Sequence, residues 1–234
     1  MVGGMKMGIP MITRVIRHAS VVKGLGLVLL LSGCATTPPQ QSSMTDGPPP
    51  IAASALQAAE QAPEVQQAMA LKDQVGHKKE AAALFKLAAD RGNPVAQAEL
   101  GRMHMAGLGA GADLDPAAAV ALFGRSADQG YAPGEVGLGR AYRTGTGVAE
   151  DRAMAVHWYA LAAAQDEPTA QALYGLALFT GDHVRQDKER GRAPIDAAYH
   201  EHDVAGFLIE SALHNPDGPP TAVQLDNLSR FVAQ

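Results

Sequence analysis

The sequence predicts an all-α fold, a short right-handed α-solenoid of antiparallel helix pairs, with a disordered N-terminal signal and linker before it. The first observation is a repeat: similar segments begin at Leu84, Leu122 and Trp158, at offsets of 38 and then 36 residues. A period of this length with helical spacing of apolar residues is typical of stacked helix pairs. The second is composition, because aromatic residues make up only 5% of the 234 residues. A chain rich in alanine and glycine suits closely packed helices better than a sheet.

The first 33 residues have the features of a secretory signal. Basic residues up to Lys23 precede a short apolar run over residues 24–31, and small residues lead to Cys34, the only cysteine. This order is typical of signal peptides, and the run is shorter than the roughly 20 apolar residues that span a bilayer. A start at Met11 would give a more usual signal length. An ordinary signal peptide or membrane anchor that happens to contain a cysteine is the alternative to the interpretation that follows.

The stretch from Leu31 to Cys34 resembles a bacterial lipobox, which implies cleavage before Cys34 and acylation of that residue. Several acyl chains would anchor the mature protein firmly. By the same resemblance, Ala35 after the cysteine indicates the outer membrane, with the protein facing the periplasm. Residues 34–52 are rich in proline, serine and threonine and are predicted to be a disordered linker.

The charge distribution argues against nucleic acid as a partner. Residues 1–33 contain four of the 19 lysines and arginines and no acid, which leaves 15 bases against 24 acids in the rest of the chain. Binding to phosphates requires a basic surface. A single cysteine also excludes an internal disulfide framework and a thiolate metal cluster.

Residues 53–190 are predicted to form the repeat domain. Glycines recur at equivalent positions, and so does a bulky pair that is expected to fill the seam between neighbouring helix pairs. These repeat-defining residues are Gly101, Gly107, Gly109, Phe123, Gly139, Gly145, Gly147, Trp158, Tyr159 and Gly175.

The glycine-rich stretch over residues 104–115 is interpreted as a turn rather than a phosphate-binding loop. Gly107 and Gly109 recur as Gly145 and Gly147, and no β-rich run precedes them, whereas a phosphate loop normally follows a strand. We therefore expect these glycines to end helices at positive φ. Asp113 aligns with Asp151 at an offset of 38 residues, and Asp115 before Pro116 suits a helix N-cap. No nucleotide, cofactor or metal is predicted.

The pattern over residues 134–165 resembles the Sel-one-like repeat, a relative of the tetratricopeptide repeat. It carries Leu138-Gly139, Tyr142, Gly145, Gly147-Val148, Asp151, Ala155, Trp158-Tyr159 and Ala162-Ala163. The resemblance covers roughly residues 65–190. In the third copy His183 replaces the second glycine and Pro194 stands where an aromatic residue is expected, which predicts a displaced or restarted second helix.

Residues 191–234 are predicted to form C-terminal capping helices. Pro194 is expected to begin a helix with Ile195, Tyr199, Leu208, Ile209, Ala212 and Leu213 on its apolar face. Thr221 and Gln224 suggest a capping box for a last short helix through Leu225, Leu228 and Phe231.

The resemblance implies a non-enzymatic scaffold that binds envelope proteins, with relatives that assist secretion, exopolysaccharide or pilus systems. Arg102, Arg140 and Arg143 are a candidate basic surface on the concave side, with ordinary surface arginines as the alternative. The competing hypothesis is a cell-wall glycan-binding module or hydrolase with a polar cleft around His200–Asp203. On a helix His200 and His202 would point about 200° apart, so one metal ion could not bind both there.

Overall fold

The computed structural model describes residues 47–107 and 114–214, together with Gln224. All regular secondary structure in these ranges is α-helical. Ten helices follow one another in these ranges: α1 Ala53–Glu60, α2 Pro63–Leu71, α3 Lys78–Asp90, α4 Pro94–Met105, α5 Pro116–Ala127, α6 Ala132–Thr144, α7 Arg152–Ala163, α8 Pro168–Thr180, α9 Lys188–His200 and α10 Val204–Leu213. The predicted all-α solenoid is confirmed. Among the described residues, no helix is both long enough and apolar enough to cross a bilayer.

In three successive pairs, α4–α5, α6–α7 and α8–α9, the second helix begins after an aspartate. Asp115, Asp151 and Asp187 each accept a hydrogen bond at 3.0 Å from a backbone N–H three residues later. Such N-caps stabilise a helix by about 1 kcal/mol. The residue equivalent to Asp151 is therefore Asp115 and not Asp113, so the first glycine-rich loop is two residues longer than the later ones.

The turns between paired helices use left-handed backbone, which favours glycine. Gly107, Gly145 and Gly147 have φ values of 65°, 68° and 76°. His183 takes the place of the second glycine in the third pair and still has a φ of 52°. Gly109 lies outside the described residues.

In three successive pairs, a bulky core side chain of the second helix packs against a glycine of the helix before it. Phe123 is 2% exposed and lies so close to Gly101 that an added Cβ there would approach its ring to 2.8 Å. Tyr159 packs on Gly139 in the same way. In each bulky pair the second member is the more buried: Tyr159 is 2% exposed, whereas Trp158 is half-buried beside Phe123.

The third pair corrects the sequence prediction. Pro194 does not begin a helix: α9 begins at Lys188 and contains Pro194 in its interior. The N-cap at Asp187 starts the helix at the expected repeat position, and Ile195, fully buried, occupies the place of Tyr159 against Gly175. The second helix is therefore neither displaced nor restarted, and a boundary after residue 190 would divide it.

The single helix predicted from Ile195 to Leu213 is instead two helices, because α9 ends at His200 and α10 begins at Val204, and together they bury part of the predicted apolar face. Ile195 and Ile209 are fully buried in one cluster with Leu173 and Leu176. Tyr199, expected on the same face, is 41% exposed and stacks on Phe207. The predicted helix through Leu225, Leu228 and Phe231 lies outside the described residues.

The end of the predicted linker lies against the repeats. The N–H of Ile51 donates to the carbonyl of Gly130 at 3.1 Å, and Gly47 contacts the side chain of Leu161. Residues 47–52 are therefore attached to the helical domain. Residues 34–46 and the signal segment lie outside the described residues.

Candidate functional site

The first helices of three successive pairs form a groove with a volume of about 840 Å³. Its walls come from α4, α6 and the start of α8, so equivalent positions of the repeat face the same space. The side chains that line it include Glu99, Arg102, Met105, Phe123, Tyr131, Val136, Arg140, Thr144, Thr146, Glu167 and Thr169. Apolar and charged groups are mixed, which is common in binding sites of this size.

Arg102 lines the groove, and its charge is compensated. Its guanidinium forms a hydrogen-bonded ion pair with Glu99, one turn earlier on α4. Lys72 lies 3.5 Å from the same carboxylate oxygen of Glu99. This end of the groove therefore presents a mixed-charge cluster of Lys72, Glu99 and Arg102.

Arg140 also lines the groove, and its guanidinium makes no hydrogen bond or ion pair with any residue in the described part of the chain. Its Nε atom is buried without a partner. The charge of Arg140 acts on Glu167, which lines the same groove, but the Glu167 carboxylate accepts the N–H of Ala170 at 2.6 Å and caps α8. Burial raises the pKa of Glu167 above its ordinary value.

Arg143 does not belong to this surface, which corrects the sequence prediction. Its side chain is only 5% exposed and forms an ion pair with Asp182 in the loop after α8. Arg152 lies 3.7 Å from the other oxygen of Asp182. The loop after α8 covers the end of α6. Arg143 therefore connects neighbouring repeats and does not face the groove.

Tyr131 is the N-cap residue of α6 and lines the groove. In the sequence it lies between two other lining residues, Arg102 and Glu167. Burial, with the nearby Glu99 carboxylate, raises its pKa to about 12. The hydroxyl therefore stays protonated at physiological pH and can donate a hydrogen bond to a ligand.

Two polar pairs, each with one buried member, join neighbouring repeats at equivalent positions. Gln129 donates to Gln97 at 2.8 Å, and Gln165 donates to Glu135 at 2.9 Å. In the second pair the fully buried Glu135 carboxyl group occupies the position that the Gln97 amide has in the first pair. Burial raises the pKa of Glu135 to about 7, although the hydrogen bond from Gln165 lowers it in part.

The residues at His200–Asp203 terminate one helix and start the next. Asp203 accepts the N–H of Gly206 at 3.0 Å as the N-cap of α10 and also accepts the hydroxyl of Thr169. The ring of His202 is 2.9 Å from the carbonyl oxygen of His200. Within the described ranges, no group of three or more histidine, cysteine or acidic residues is arranged to hold a metal ion.

Sequence reasoning missed most of the groove. Val136 and Thr144 lie four residues before and after Arg140, and Glu99 lies three residues before Arg102, so helical spacing could have identified them. Tyr131 and Glu167 occupy equivalent turn positions 36 residues apart. Cys34, the predicted acylation site, lies outside the described residues.

Comparison with known proteins identifies relatives of this architecture. The family model described as Sel1 repeat matches four consecutive segments, residues 76–93, 94–131, 132–167 and 168–193, which together make up half of the chain. The comparison with curated proteins finds no match.

Two solved structures are similar to the chain. A protective antigen of uropathogenic Escherichia coli that displays an SLR fold is 27% identical with a TM-score of 0.56, over 72% of this chain and 36% of the antigen. The chain thus spans about a third of the antigen's length. A Sel1 repeat protein from Oxalobacter formigenes is 23% identical with a TM-score of 0.56, over 73% of this chain and 71% of that protein. This second likeness supports the fold alone.

Proposed function

Because the chain belongs to the Sel1 repeat family, whose members generally mediate protein–protein interactions, we propose that it is an envelope adaptor that binds a segment of a partner protein in its groove. The family is typically non-enzymatic. The proposal further places the adaptor at the bacterial outer membrane, anchored through acyl chains on Cys34 and facing the periplasm, where it assists the assembly of a secretion, exopolysaccharide or pilus system.

The observation that carries the interaction proposal is the groove itself. Its walls are first helices held in place by the glycine–aromatic packing behind them, so the surface is built on rigid elements. A preformed groove reduces the entropy that is lost on binding. Its mixture of apolar side chains, a tyrosine hydroxyl and a guanidinium suits a polypeptide, which presents apolar and polar groups along one strand.

A test of this function places a photo-crosslinking residue at Ala106, an exposed position on the groove, in intact cells. The matched control carries the same residue at Ala121, exposed on α5 and outside the groove lining. We expect one defined envelope protein, identified by mass spectrometry, to crosslink at position 106 and not at position 121. Equal crosslinking at both positions, or recovery of peptidoglycan fragments alone, would contradict the adaptor function.

The anchoring proposal predicts that Cys34→Ala abolishes labelling by a palmitate analogue and moves the protein from the membrane fraction to the soluble fraction. The reason is that the chain has no other thiol that could carry an acyl group. Metabolic labelling followed by fractionation measures both effects. Labelling that persists in the variant would refute acylation at Cys34, whatever the groove binds.

A further inference from the structure

We infer that the groove contains a carboxylate-binding subsite at Arg140, and that the bound segment is a peptide with one acidic side chain beside large apolar residues. This inference rests on the proposed function and specifies the chemistry of its partner. It depends on two observations. Most basic side chains near the groove already form ion pairs, and Arg140, which does not, has a particular set of neighbours.

The other basic groups near the groove are already engaged. Arg102 and Lys72 share the carboxylate of Glu99, and Arg143 is buried against Asp182. Arg140 alone among these four makes no ion pair with a described residue, although its Nε atom is removed from solvent. A buried donor that lacks an acceptor is unfavourable, and an acceptor supplied by a partner would relieve this cost.

A carboxylate is the acceptor that matches this donor. A guanidinium offers parallel N–H groups that can hold both oxygens of a carboxylate. The hydroxyl of Thr144 is occupied with the carbonyl oxygen of Arg140, and the Thr169 hydroxyl donates to Asp203. The guanidinium is therefore the main free donor at this end, which favours a planar anion over a neutral hydroxylated ligand.

The surroundings of Arg140 favour one negative charge and not many. Glu99 and Glu167, on different repeats, both line the groove, so an acidic polysaccharide with a carboxylate on every sugar would be repelled at two positions. Met105, Val136 and Tyr131 line the same groove and offer apolar contact. A short peptide that places one aspartate or glutamate at Arg140 and an apolar residue beside it satisfies both conditions.

The test selects a displayed library of random twelve-residue peptides on the full chain, on Arg140→Gln and on Arg102→Gln. The Arg102 variant is the matched control because it removes a groove arginine whose charge is already compensated. We expect peptides selected on the parent chain and on Arg102→Gln to be enriched in an acidic residue next to an apolar one. On Arg140→Gln the acidic enrichment should disappear while apolar enrichment remains.

Affinities of one selected peptide give the quantitative test. Changing its acidic residue to the corresponding amide should weaken binding to the parent chain by about tenfold or more, the effect of losing a charged hydrogen-bonded pair. The same change should have little effect on binding to Arg140→Gln. An equal loss on both proteins would overturn the Arg140 subsite.

Three further outcomes separate this inference from the proposed function. Selection of groove-binding peptides without acidic enrichment would reject the subsite and leave the adaptor function standing. Failure to select any peptide, together with absence of the Ala106 crosslink, would reject both. Tighter, Arg140-dependent binding of an oligogalacturonate probe would overturn the choice of a peptide as the occupant.

Discussion

Gly191→Ala is expected to lower the free energy of unfolding by about 3 kcal/mol, because this glycine lies where two helices touch backbone to backbone. An added Cβ would approach the carbonyl oxygen of Gly175 to 2.6 Å and the backbone nitrogen of Phe179 to 2.7 Å. Backbone atoms cannot rotate away as a flexible side chain can, so α9 would have to separate from α8. Urea unfolding, followed by far-ultraviolet circular dichroism, measures the change.

The matched control is Gly124→Ala on α5. Gly124 is also inside a helix, but nothing lies within 4 Å of an added Cβ at this position. Alanine there is expected to raise stability by about 0.5–1 kcal/mol because it loses less backbone entropy on folding. If both substitutions changed stability alike, close approach of α8 and α9 at Gly191 would be disproved.

Glu135→Gln is the second large expected effect: it should raise the free energy of unfolding by about 2–3 kcal/mol at pH 8 and have little effect at pH 4. The pKa of Glu135 is raised from 4.5 to about 7 by burial. Below pH 4.5 the group is protonated in both folded and unfolded states. As pH rises from 4.5 to 7 the unfolded chain releases the proton first, so the contribution to stability is lost over this window and stays lost above it.

The measurement is urea unfolding of the parent chain and the variant from pH 4 to pH 8, because their difference isolates this group. Gln97 has the equivalent position one repeat earlier. Gln97→Glu should therefore introduce a similar loss of stability as pH rises. A stability difference between parent and Glu135→Gln that does not vary with pH would show that folding does not raise the pKa of Glu135.

Most of the fold could be predicted because repetition averages out local ambiguity. Most of these glycines, the bulky pair and the helix-starting acid occur three times, so the pattern identified the paired helices. It failed where one copy departs from the others. Pro194 indicated a helix start in the third copy, but Asp187 had already supplied the N-cap and the packing of Ile195 on Gly175 holds the helix through the proline.

The site was less predictable than the fold, as its arginines illustrate. Arg102, Arg140 and Arg143 look equivalent as residue types on the first helices. Their states differ because Glu99 lies one turn from Arg102 and Asp182 is brought to Arg143 by a repeat that begins 25 residues later in the chain. Of these three arginines, only Arg140 forms no ion pair with a described residue.

The sequence by itself determined the helical pairs, their period and the residues that turn and cap them, because these depend on backbone preferences and contacts within one repeat. Only the tertiary structure decided which charges are compensated, which carboxyl group is buried and how closely α8 approaches α9. Those properties arise from contacts between different repeats, and their energies depend on distances and on exclusion of water that residue spacing does not specify.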